Sequence, residues 1–124
     1  MSLDLQAEAS RILDARAQRR TLSPISDLVD LDLETAYAIQ SLLTRTRLDR
    51  GERQIGWKLG YTSLVMREQM GIAVPNHGPL TDAMLLADGS QVPTTLTQPR
   101  VEPEIALRFA RDVAPGADRA AVLS

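Results

Sequence analysis

Ile55-Gly56-Trp57-Lys58-Leu59-Gly60-Tyr61-Thr62-Ser63 is the stretch on which the fold turns. From Arg53 to Leu59 the pattern alternates, with Ile55, Trp57 and Leu59 on one face and Gly56, Lys58 and Gly60 on the other. Successive strand side chains point to opposite faces, so this spacing predicts a strand. Ser63 is an N-cap candidate, with a hydroxyl that can accept from the first free N–H groups of a short helix ending before Gly71. Lys58 shares its face with two glycines, which leaves backbone open to a ligand. Such a lysine is either a general acid/base or anion contact, or a surface lysine that guards an edge strand.

Upstream, Leu3 to Arg20 reads as a helix. Ala9, Ile12, Leu13 and Ala17 recur at helical spacing, and Arg16, Arg19 and Arg20 suit its C-terminal end. Thr21 to Asp30 is a connector carrying Ser23-Pro24. A second helix begins near the cap candidate Asp32 and stops at Gly51, with Ala36, Ile39 and Leu43 as its inward stripe. Tyr37 and Gln40 lie one turn apart on that helix and read as packing and surface.

Downstream, Pro75 to Pro79 reads as a loop, Asp82 to Leu86 as a short strand, and Asp88-Gly89 as a hairpin turn. The last strong strand pattern is Val101–Phe109. It puts Val101, Pro103, Ile105, Leu107 and Phe109 on one face and Glu102 and Glu104 on the other. Two strand rises separate the glutamates by about 7 Å, so both carboxylates can lean toward one hard cation. The alternative is a solvated face with two ordinary glutamates. Pro103 donates no ladder hydrogen bond, which predicts an edge strand or a bulge. Asp118 is a cap candidate for a final helix that has less than about two turns before Ser124. A sequence cut off in mid-element is the expectation there.

The chain has 124 residues, enough for one compact core. With 44% hydrophobic and 24% charged residues, wholesale disorder is excluded. A net charge of −2 makes no electrostatic case for nucleic acid or an anionic membrane, and 3% aromatics are too few for a base-stacking platform. The absence of cysteine excludes disulfides, thiolate metal sites and cysteine nucleophiles. No apolar run approaches the roughly 20 residues that span a bilayer. The start Met1-Ser2-Leu3-Asp4-Leu5 lacks signal-peptide order, so a cytoplasmic protein is expected. His77, the only histidine, has no partner at metal or triad spacing. No phosphate loop, dinucleotide fingerprint or nucleophile elbow is present.

Together these segments resemble a known family. Ile55 to Ser63 is similar to the Gly-x-Lys-x-Gly-x-Thr-Ser stretch of the 2-oxopent-4-enoate hydratases. Pro75, Gly78 and Leu80 resemble the family's next loop. Pro99-Arg100-Val101-Glu102-Pro103-Glu104-Ile105-Ala106 resembles its metal-binding segment, and Ala36-Tyr37-Ala38-Ile39-Gln40 its second helix. These enzymes include 4-oxalocrotonate decarboxylase and sit within the fumarylacetoacetate hydrolase superfamily.

The resemblance implies an α+β protein in two parts. Residues 1–52 would form an N-terminal helical segment, and 53–124 the first part of a mixed β-rich, fumarylacetoacetate-hydrolase-like catalytic domain, truncated. It implies a Mg²⁺ or Mn²⁺ hydro-lyase acting on small 2-oxo or 2-hydroxydienoic acids from aromatic catabolism. Glu102 and Glu104 would be metal ligands and Lys58 the acid/base, while substrate-binding residues stay unassigned. A metal-bound 2-oxo acid is an electron sink for hydration or decarboxylation alike, so the motif separates neither. The family's third carboxylate ligand lies beyond the position of Ser124. An inactive chain, a fragment stabilised by partner chains, a homo-oligomer or a complex with a related enzyme are therefore the expected forms. Exposed apolar surface is expected near Ile105 and along the Ala36–Leu43 stripe.

Overall fold

The computed structural model describes residues 3–123; Met1, Ser2 and Ser124 lie outside them. Two helices lead. Asp4 caps the first, α1 (Leu5–Ala17), by accepting from the N–H groups of Gln6 and Ala7 at 3.0 Å each. Asp32 caps the second, α2 (Leu33–Asp49), through Thr35 N–H at 2.7 Å. Ser23-Pro24 leads into one 3₁₀ turn, Ile25–Asp27, between them.

The helices pack on each other through small residues. Ala9 and Ala15 of α1 and Ile39 of α2 are the buried apolar core. Ala15, not Ala17, turns inward, and Ala17 is exposed. The α2 stripe is therefore covered by α1: Ile39 is buried, and Ala36 and Leu43 are half-buried. That corrects the expectation of an open Ala36–Leu43 surface.

A two-stranded antiparallel sheet follows, β1 (Gln54–Gly60) with β2 (Asn76–Thr81). Lys58 pairs with Gly78, Gly60 with Asn76, and Leu59 with His77, with an irregularity between Gln54 and Gly56. The segment Pro75 to Pro79, expected as a loop, is thus mostly strand. His77 directs its N–H to the Tyr37 hydroxyl (3.1 Å) and receives Gln40 Nε2 on its carbonyl (3.2 Å). Antiparallel alternation puts Pro79, two residues on, at the same outward-facing position, where a missing N–H costs no ladder bond. Asp82 to Leu86, expected as a strand, opens as a 3₁₀ turn, Asp82–Met84. Its first residue is tied back to Arg53 instead: Asp82 Oδ1 accepts Arg53 N–H at 3.0 Å and Oδ2 accepts Arg53 Nε at 3.1 Å.

Between the strands lies α3 (Leu64–Met70). Ser63 caps it through Met66 N–H at 3.4 Å, and Gly71 ends it at φ 67°. Thr81, buried at the end of β2, donates its hydroxyl to Glu52, which also receives Arg47 at 3.1 Å. That cluster ties the end of α2 to the end of the sheet.

Val101–Phe109 is not a strand; no backbone ladder joins it to β1 or β2. Pro103 lacks an N–H, and the apolar side chains meant to anchor the segment face outward, with Val101 and Ile105 each 93% exposed. Asp88-Gly89 forms a turn without a hairpin behind it. Asp118 caps a last short helix, α4 (Arg119–Leu123), through Ala121 N–H at 2.8 Å. Among the described residues no helix is long and apolar enough to cross a membrane.

Candidate metal and acid-base site

The site grows from the bare face of β1. Gly56 and Gly60 flank Lys58 along the strand, and Gly78 stands across from it. No side chain rises beside the Lys58 stem from these three positions. Gly60 is needed for a close approach, since a Cβ there would collide with the Asn76 side chain.

Lys58 Nζ lies 3.1 Å from Glu102 Oε2 and donates a hydrogen bond to Glu104 Oε1. Lys58 thus meets two glutamates that lie more than forty positions further along the chain. All three are part-exposed: Lys58 48%, Glu102 64% and Glu104 55%. Glu104, then Glu102, push the Lys58 ammonium above the ordinary lysine value by accepting its protons. Paired with the two glutamates, the amine is held as an ammonium.

The donor set fits a hard cation. Oxygens from both carboxylates already converge on a single positive charge, and carboxylate oxygen is the ligand that Mg²⁺ and Mn²⁺ take. Among the described residues, no third His, Cys, Asp or Glu joins them.

Two cavities adjoin Lys58. One, of about 380 Å³, lies toward α2 and is lined by Leu33, Ala36, Tyr37, Gln40, Asn76 and His77. The other, of about 420 Å³, contains Glu102, Glu104, Thr62, Ser63 and Met66. Lys58, Gly60 and Asn76 line both. Tyr61, at the rim, is left-handed at φ 53°, a strained setting for a bulky residue. Arg67 braces it, donating to the carbonyls of Tyr61 (2.8 Å) and Thr62 (3.0 Å).

His77 does not join the glutamates. Its ring stacks on Tyr37 at 4.5 Å between centroids and meets Trp57 edge-on at 5.4 Å. Asn76 and the Arg67 brace escaped the sequence reading. The signal for Asn76 was Gly60, whose absent side chain makes room for a neighbour that only the strand register identifies.

No protein-family model matches the sequence. Curated relatives do. A 2-keto-4-pentenoate hydratase of Burkholderia vietnamiensis is 40% identical over 107 residues, 85% of this chain and 41% of that protein. A 2-hydroxypent-2,4-dienoate hydratase of Pseudomonas putida is 38% identical over 117 residues, 91% of this chain and 53% of that one. The 4-oxalocrotonate decarboxylase of Pseudomonas putida G7, solved with calcium and acetate and with magnesium and adipate, superposes at a TM-score of 0.60 with 28% identity. That superposition covers 66% of this chain and 33% of the decarboxylase. The chain spans about half or less of the length of each of these proteins. Over the part it spans, the chain is a homologue of the 2-keto-4-pentenoate hydratases and a structural relative of 4-oxalocrotonate decarboxylase.

Proposed function

We propose that this chain supplies the lysine and two metal-ligand positions of a divalent-cation-dependent, cytoplasmic hydratase of 2-hydroxypenta-2,4-dienoate-type acids in aromatic catabolism. Residues 1–52 would be its helical segment and 53–124 the first part of a fumarylacetoacetate-hydrolase-like domain. The observation that carries this reading is the meeting of Lys58 with Glu102 and Glu104. The hydratase names of the curated relatives support the substrate class. The calcium and magnesium bound by the solved neighbour support a divalent cation, here Mg²⁺ or Mn²⁺.

Glu102 and Glu104 would hold that cation. Once bound, it would supply Lewis-acid polarisation of a 2-oxo acid's oxygens. Lys58 Nζ, the amine in contact with both glutamates, would be the proton donor nearest that point and enter as the acid. The cavity toward α2 has a mostly apolar wall in Leu33, Ala36 and Tyr37, suited to a short carbon chain. Decarboxylation of 4-oxalocrotonate is the second reading, favoured by the structural match to that enzyme.

The test is a chimera in which this chain replaces the matching span of the Burkholderia vietnamiensis hydratase. Loss of dienoate absorbance reads hydration, and CO₂ release from 4-oxalocrotonate reads decarboxylation. Lys58→Ala should lower turnover by about 100-fold or more, and Glu102→Gln or Glu104→Gln should weaken the response to Mg²⁺. An active chimera indifferent to all three substitutions would sink the reading.

A further inference from the structure

We propose that Lys58 is a placeholder: its ammonium holds Glu102 and Glu104 together until a divalent cation takes its position, and exchange turns the amine into the cavity toward α2. The inference rests on the metal reading above and adds to it how the site is loaded.

Two carboxylates held two residues apart repel unless a positive charge stands between them. Lys58 is that charge. It is also the only lysine in the chain, the other thirteen cationic side chains being arginines. No backbone-to-backbone hydrogen bond ties residues 101–109 to the sheet, so the ion pairs with Lys58 bring the glutamates to β1.

The contact is built to exchange. Its members are about half exposed, and ion pairs in that setting are weak and open to competing ions. A dication on the same oxygens would stand within a few ångströms of Nζ and repel it. The displaced amine has somewhere to go. Lys58 lines both cavities, whereas the glutamates line only one. On the α2 side are Tyr37 and Gln40, and Gly56 and Gly78 put no side chain of their own beside the Lys58 stem. Loading the cation and presenting the amine to the cavity thus become one event.

The test uses the 124-residue chain. Mn²⁺ binding is followed by the electron paramagnetic resonance of the free ion at constant ionic strength. Wild type, Lys58→Met, Lys58→Gln, Lys58→Arg and the double variant Glu102→Gln/Glu104→Gln are compared. In parallel, [¹⁵N]lysine labelling gives a single side-chain Nζ signal, recorded with Mg²⁺ and with NaCl of matched ionic strength. Lys58→Met and Lys58→Gln should bind Mn²⁺ tighter by about fivefold, because no exposed ion pair then has to break before the cation binds. Lys58→Arg should stay near wild type. Mg²⁺, but not NaCl, should move the Nζ signal toward that of free lysine. Unchanged or weaker Mn²⁺ binding by both neutral variants would overturn the placeholder while leaving the metal reading intact, provided the double glutamine variant loses binding. Equal binding by that double variant and wild type would overturn both.

Discussion

The backbone N–H of His77 donates to the Tyr37 hydroxyl at 3.1 Å, and the two rings stack beside that bond. One tyrosine on α2 thus satisfies a strand donor and covers the imidazole next to it. Tyr37→Phe keeps the stack and removes the acceptor. It should cost about 0.5–1 kcal/mol in urea unfolding, the low end for a hydrogen bond that water can replace. The His77 amide should exchange with solvent faster in the same variant.

Gly56 and Gly60 lie on one face of one strand and should respond differently to alanine. A Cβ at position 60 meets Asn76, whereas nothing lies within 4 Å of one at position 56. Gly60→Ala should cost about 1 kcal/mol and displace the Asn76 carboxamide. Gly56→Ala should stay within about 0.5 kcal/mol of wild type. Thermal unfolding of the pair checks the contrast.

The turn after β1 stores strain at Tyr61 that Arg67 restrains. Arg67→Met should cost about 1–2 kcal/mol. With glycine at position 61 the left-handed turn needs no restraint, so the same substitution in a Tyr61→Gly background should cost at most about half as much. A double-mutant cycle in urea measures the difference.

Acid should loosen the junction between helices and sheet. Asp82 is held below the usual carboxylate range by the Arg53 backbone N–H first and its guanidinium second. Glu52 is held low chiefly by the Thr81 hydroxyl and then by Arg47. For a group whose folded pKa is depressed, the contribution is complete above the unfolded pKa and is lost as pH falls through the folded one. The urea midpoint should therefore be level above about pH 5 and decline below it. Asp82→Asn should make that decline shallower.

Local chemistry was the legible part of the sequence. Asp32 and Ser63 cap the helices they were expected to cap, and Gly71 ends α3 in the left-handed region that favours glycine. The period-two run at Lys58 is β1. What escaped depends on neighbours distant in sequence. Pro75 and Pro79 read as loop punctuation, but Asn76–Thr81 pairs with β1 because its outward groups meet Tyr37 and Gln40. Val101–Phe109 has a strand's alternation without a strand beside it, and a hydrophobic pattern alone forms no ladder. The two glutamates reach Lys58 all the same, through ion pairs that no spacing rule within the segment describes.

The bonds from Tyr37 and Gln40 to His77 also give the sheet a direction of growth. They close the far side of β2 to an incoming strand, since the groups an added chain would pair with are already engaged. Among the described residues, the flank of β1 away from β2 has no such cover. A third strand, from this chain or another, would have to join there, beside Trp57 and Leu59, whose side chains are more than half exposed. Assembly and unwanted aggregation would then compete for the same flank, one strand away from the carboxylates that Lys58 gathers.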